Sequence, residues 1–301
     1  MTPIRIATRG SELALWQARF VASKLGRKTE LVIVSTRGDR DQGSSLDQLG
    51  GQGVFVKEVQ AALLDGRADL AVHSAKDLPA ISPEGLAIGA FPKRGDVRDA
   101  LVGKALGELR SGEIIATGSL RRRAQLKSMR PDLAFTSLRG NIATRVAMAQ
   151  RYGAVVVAYA ALERLGRLDA VAQVFEPEEM IPQVGQGALA VECRSSDDDL
   201  QACLAVIDDP NTRLAVESER SFLERLGSGC SLPVGAYATV DPGVKRIDLI
   251  AFIGSPNASF GIQVEGSGFD PHELGARLGL ELLDKGGLKL LDQLDEGGNH
   301  E

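Results

Sequence analysis

Short apolar runs separated by segments of helical period recur along the first two thirds of the chain, and this alternation constrains the fold most. IRIAT (4–8), LVIV (31–34), DLAVHSA (69–75), IIATG (114–118), FTSL (135–138), AVVVAYA (154–160) and ALAVEC (188–193) read as strands, LVIV and AVVVAYA as buried ones. Between them, Leu13, Trp16 and Phe20 share one helical face behind Ser11, a capping residue. Residues 54–64 have helical spacing, a helix is expected over 119–129, ended by Pro131, and another starts at Asn141. This order predicts an α/β fold of two domains with mixed, mostly parallel sheets. After Pro210 the pattern changes to a helix over 211–226, strands near 234–240, 246–254 and 260–266, and helices from about 272. That order predicts a smaller α+β domain with an antiparallel sheet.

Length and composition fit this plan, since 301 residues allow two or three domains. The first twenty residues carry charge from Arg5 onward and hold no apolar run of leader or membrane-span length. A cytoplasmic protein without membrane contact is expected. Charge is unevenly divided: residues 1–150 hold 23 basic and 15 acidic side chains, and the remainder holds 12 and 25. The basic half calls for an anionic partner, while the acidic whole argues against nucleic acid. Cys193, Cys203 and Cys230 form no CxxC and cannot all pair, and His73, His272 and His300 are the only imidazoles, so neither a disulfide framework nor a protein-bound transition metal is expected, and nothing calls for an oxygen-ligated cation. GGQGVF (50–55) lacks the third glycine of a dinucleotide loop, and no phosphate-binding GxxxxGK[ST] occurs.

Chemistry is concentrated in a few segments. TGSLRRRAQL (117–126) puts Arg121, Arg122 and Arg123 in the first turn of a helix, where the backbone's partial positive charge disfavours each by about 0.3–1 kcal/mol. A bound anion reverses that cost, and Thr117, Ser119 and the free amides add donors. SLRGNIATR (137–145) places Arg139 before a second helix start and Arg145 one turn inside it, and TRGS puts Arg9 and Ser11 at a strand-to-helix turn. HSAKDLP (73–79) ends a strand with Ser74, Lys76 and Asp77, a carboxylate beside cations suited to proton transfer or to stabilising developing positive charge. No GxSxG elbow supports a serine hydrolase. Cys230 stands in RLGSGCSLPVG (225–235), an open glycine-bearing loop where sulfur is accessible, whereas Cys193 and Cys203 suit a core.

These segments together resemble the porphobilinogen deaminase (hydroxymethylbilane synthase) family. IATRGSELALWQA, STRGD (35–39), GVFVKE (53–58), ADLAVHSAKDLP (68–79), RDAL (98–101), GSLRRRAQL, SLRGNIATR, VGQGALAVECR (184–194) and GSGCSLPVG follow in family order across nearly the whole chain. The resemblance implies a monomeric transferase of three domains: 1–95 with 188–208, carrying a flap at 41–53; 96–187; and 209–301, with the first two like periplasmic binding proteins. It implies head-to-tail condensation of four porphobilinogen molecules with loss of ammonia, on a dipyrromethane cofactor held by a thioether to Cys230. Hydrolysis then releases hydroxymethylbilane, a precursor of haem and related pigments.

By motif, the resemblance makes Asp77 the catalytic carboxylate and Phe55 part of the flap. Arg9, Arg121, Arg122, Arg139, Arg145 and Arg164 become receptors for pyrrole acetates and propionates, helped by Ser11, Ser74, Lys76, Thr117 and Ser119, with Arg123 facing solvent. Bidentate arginines suit such carboxylates. Gln48 and Gln52 stand where many relatives carry lysines, and Ser228 replaces a common glycine. Two alternatives remain: a non-catalytic two-lobed anion-binding protein, and a cysteine-nucleophile transferase without a pyrrole cofactor.

Overall fold

The computed structural model describes residues 2–36, 56–227, 232–255 and 260–297, with side chains as far as 292. The chain begins with strand β1 (Ile4–Thr8), helix α1 (Glu12–Leu25), β2 (Thr29–Ile33), α2 (Lys57–Leu64), β3 (Leu70–Ser74) and β4 (Leu86–Ala90). It then builds β5 (Asp99–Gly103), β6 (Ile114–Ala116), α3 (Leu120–Met129), β7 (Ala134–Thr136), α4 (Ile142–Met148), β8 (Ala154–Ala158), α5 (Tyr159–Arg164) and β9 (Val171–Phe175). Next, β10 (Leu189–Arg194) returns to the first sheet, whose order is β2-β1-β3-β10-β4; the second runs β7-β6-β8-β5-β9.

The two sheets repeat one plan that the sequence does not display as a repeat. In each, four strands run the same way and one, β10 or β5, runs against its two neighbours. The reversed strand is in both cases the one that directly follows a crossing between sheets. The expected α/β class is therefore the observed one.

Three strands, β4, β5 and β9, were not among the predicted ones. β4 and β9 are edge strands and only partly buried, although both are rich in apolar residues, and β5 opens on a charged residue, Asp99. LVIV, expected to be buried, falls at the opposite edge: Ile33 is 55% exposed, and only Val34, past the strand end, is buried.

Both faces of each sheet are covered. On the first, Ala18 and Val21 of α1 and Leu204 of α6 (Asp198–Leu204) pack on one side, and Val59 and Leu63 of α2 on the other. On the second, Leu126 of α3 lies on one side and Val146 of α4 and Leu162 of α5 on the other. The remaining residues form α7 (Pro210–Arg225), the antiparallel sheet β11 (Val234–Val240), β12 (Ile247–Gly254) and β13 (Gly261–Gly268), then α8 (Pro271–Leu282) and α9 (Leu288–Gly297). Helices α7 and α8 approach so closely that a Cβ on Gly275 would stand 2.3 Å from the Ser218 carbonyl oxygen.

Candidate active site

The first sheet presents its polar groups where β1 and β3 end. Ser11 accepts a hydrogen bond from the Ala14 amide at 3.3 Å and caps α1, so its hydroxyl and Arg9 sit at a helix start. β3 runs into a single 3-10 turn, Ala75–Asp77, that carries Lys76 and Asp77. Gln17 of α1 donates to Ser74 Oγ at 2.8 Å and so fixes that turn against the helix. Arg9, Ser11, Gln17, His73, Ser74 and Asp77 line one cleft.

The second sheet supplies the facing wall. Ser119 caps α3 by accepting from the Arg122 amide at 3.4 Å, and Thr117 Oγ1 accepts from the Ser119 amide at 3.2 Å. Asn141 caps α4, accepting from the Thr144 amide at 2.9 Å, and Arg145 Nε donates to the Gly140 carbonyl at 2.9 Å. Gly140 holds φ +111 and lies where a Cβ would meet the Thr144 side chain at 2.9 Å, which explains glycine between Arg139 and the cap. Arg164 donates to the Gly187 carbonyl at 2.5 Å and lies 5.6 Å from the Trp16 ring centroid, joining α5 to α1.

Arg121 and Arg122, expected as carboxylate receptors, already share a partner within the protein. Both are buried, and Asp99 at the head of β5 accepts from Arg121 at 2.7 Å and from Arg122 Nη2 at 2.6 Å. Arg121 also donates to the Ile181 carbonyl at 2.6 Å, and Arg122 to that of Val156 at 3.1 Å. Arg123, expected at the solvent face, is half-buried. The sequence contained Asp99 within RDAL, but a lone aspartate opening a strand bears no local mark of such a role.

Charge is not balanced across the cleft. Burial, reinforced by Arg122 and Arg121, pushes the Lys76 ammonium down to about 8 against the attraction of Asp77 and Asp99. Burial also pushes the Arg145 guanidinium down to about 10, with Arg122 and Arg139 repelling it and Asp77 opposing them. Two cations from facing walls are thus disfavoured in their charged form, and a carboxylate ligand relieves both. The walls fit a group bearing several carboxylates. Phe55, Cys230, Gln48, Gln52, Ser228 and the flap segment 41–53 lie outside the described residues.

Fold and cleft define a class: a two-lobed α/β protein with a cation-rich cleft and a carboxylate, Asp77, close to Lys76 of one wall and Arg145 of the other. Comparison with known proteins narrows this. A family model described as porphobilinogen deaminase, dipyromethane cofactor binding domain, matches residues 4–202, and the porphobilinogen deaminase C-terminal domain model matches residues 213–284. The chain belongs to the porphobilinogen deaminase family. It is 41% identical to the porphobilinogen deaminase of Bacillus subtilis, covering 99% of each chain. It is 46% identical to that of Syntrophus aciditrophicus, covering 98% of this chain and 99% of that one. Among solved structures, a periplasmic binding protein of Salmonella typhimurium matches with a TM-score of 0.38 at 12% identity, covering 71% of this chain and 96% of that one.

Proposed function

We propose that this chain is a porphobilinogen deaminase that condenses four porphobilinogen molecules head to tail, releases ammonia at each addition, and hydrolyses off linear hydroxymethylbilane. The observation that carries the reading is the family match over residues 4–202, together with the cleft that Arg9, Ser11, Ser74 and Asp77 line. Among the described residues no helix is long and apolar enough to cross a membrane. We place the enzyme in the cytoplasm as a monomer, with domains 1–95 plus 188–208, 96–187 and 209–301.

The substrate's acetate and propionate are received by Arg9, Lys76, Arg139, Arg145 and Arg164, with Ser11, Ser74, Thr117 and Ser119 donating hydrogen bonds. Arg121 and Arg122, with Asp99 between them, retain one net positive charge and act on the carboxylates through it. Asp77 stabilises positive charge at a pyrrole N–H and accepts and returns protons as ammonia leaves and the ring regains aromaticity. The dipyrromethane, joined to Cys230 through a thioether, supplies the pyrrole carbon on which the chain is begun. Phe55, outside the described residues, is assigned to the flap segment by the family motif.

Two measurements test this. Intact mass should exceed that of the sequence by one dipyrromethane, and Cys230→Ser should lose that increment; an unmodified mass in active protein would refute the cofactor. Asp77→Asn should keep the parental melting temperature while turnover falls by about 10²–10⁴-fold, the range of lost acid–base catalysis. A non-catalytic anion-binding protein would show neither turnover nor added mass.

A further inference from the structure

Gln186 lies on the second crossing between the sheets, within 182–188, and has no exposed surface. Its amide is engaged at both ends. Oε1 accepts from Lys76 Nζ at 3.2 Å, while Nε2 donates to the Val97 carbonyl at 2.8 Å and to Asp99 Oδ1 at 2.9 Å. Those partners come from three separate segments: the turn after β3, the first crossing, and the head of β5. The amide cannot be turned over without penalty. A reversed amide would face its oxygen to the Asp99 carboxylate and the Val97 carbonyl, and its NH₂ to an ammonium, three mismatches in a buried place.

Asp99 is bonded in turn to Arg121 and Arg122, so a continuous chain of hydrogen bonds runs from Lys76 on one wall to both arginines on the other. Arg94 Nε further holds the Gln186 carbonyl at 2.9 Å and fixes the backbone that carries the amide. We propose that Gln186 is a positioning residue that locks the Lys76 ammonium to the Asp99, Arg121 and Arg122 ion cluster, so that cations of the two lobes meet the substrate's carboxylates at one fixed spacing. The proposal rests on the reading of Lys76 as a carboxylate receptor. Its physical basis is preorganisation: a lysine stem is flexible, and an ammonium already held by an acceptor loses less freedom when the substrate arrives.

The test uses holoenzyme whose cofactor has been verified by intact mass. Gln186→Leu should raise KM for porphobilinogen about tenfold with kcat altered less than about threefold, the pattern of lost binding rather than lost chemistry. In a Lys76→Met background the same substitution should change KM by less than about twofold, because its effect passes through the missing ammonium. An unchanged KM in Gln186→Leu, or equal effects in both backgrounds, would overturn the proposal.

A second readout does not depend on turnover. The acetylation rate of the Lys76 amine by acetic anhydride, followed by peptide mass on folded protein, should rise several-fold in Gln186→Leu, and an equal rate would also overturn the proposal. Gln186→Met, of similar length, takes the place of Gln186→Leu if the latter fails to fold. A parent protein lacking dipyrromethane and turnover would contradict the proposed function, while the labelling still decides the role of Gln186.

Discussion

Asp99 has no exposed surface, yet it carries the charge that makes two buried guanidiniums tolerable. Burial pushes its carboxyl up, but Arg121 and Arg122 outweigh burial through charge and hydrogen bonds, and the group is held below the usual carboxylate range. A depressed carboxyl contributes stability above its unfolded value, about 3.9, and loses that contribution as pH falls toward its folded value. Asp99→Asn should therefore cost about 3–5 kcal/mol at pH 7, the usual loss when one member of a buried ion pair is removed. The gap between parent and variant should narrow as pH drops below about 4. Urea unfolding at pH 7 and pH 3 checks both statements, and a constant gap would contradict the assignment. The sequence placed three arginines at this helix start and anticipated an anion for them; it offered no sign that one such anion comes from the protein itself.

At the level of elements, helix starts were the most legible feature. Ser11, Ser119 and Asn141 were each expected at a start, and each caps a helix there, because capping depends only on residues three apart. β8 was legible as a continuous apolar run, whereas β5, as deeply buried, was missed behind its opening Asp99, and β2, although at an edge and partly exposed, was legible from its apolar run. The two crossings between sheets are the least legible elements, since their contacts are with each other and with other distant segments. Gly187 adopts φ +82, and a Cβ there would stand 2.6 Å from the Gly95 oxygen and 2.7 Å from the Asp96 oxygen. Both obstacles are backbone, so no side chain can swing aside. Gly187→Ala should lower stability by at least about 1–3 kcal/mol from the backbone strain alone, read as a lower melting temperature; an unshifted midpoint would show that the crossings can separate freely.

For the whole molecule, Glu219 of α7 connects parts that the sequence separates widely. Its carboxylate, without exposed surface, accepts from Arg94 at 2.6 and 3.0 Å, from the Gly185 amide at 2.7 Å and from the Ala238 amide at 2.9 Å. Both crossings and the antiparallel sheet thereby meet at one side chain. Glu219→Ala should cost about 3–5 kcal/mol, as for a broken buried pair. Calorimetry should then resolve a separate, earlier transition for the unit of α7, α8 and β11–β13; a single transition at the parental temperature would contradict this account. By itself the sequence determined most of the elements, the fold class, the basic helix starts and the family, because these rest on short-range periodicity, capping and contiguous motifs. Only the tertiary structure decided that Arg121 and Arg122 are buried against Asp99 and that Gln186 joins Lys76 to them. Those partners lie 22, 23, 87 and 110 positions apart, and no local pattern reports which distant residues a folded chain brings within hydrogen-bond reach.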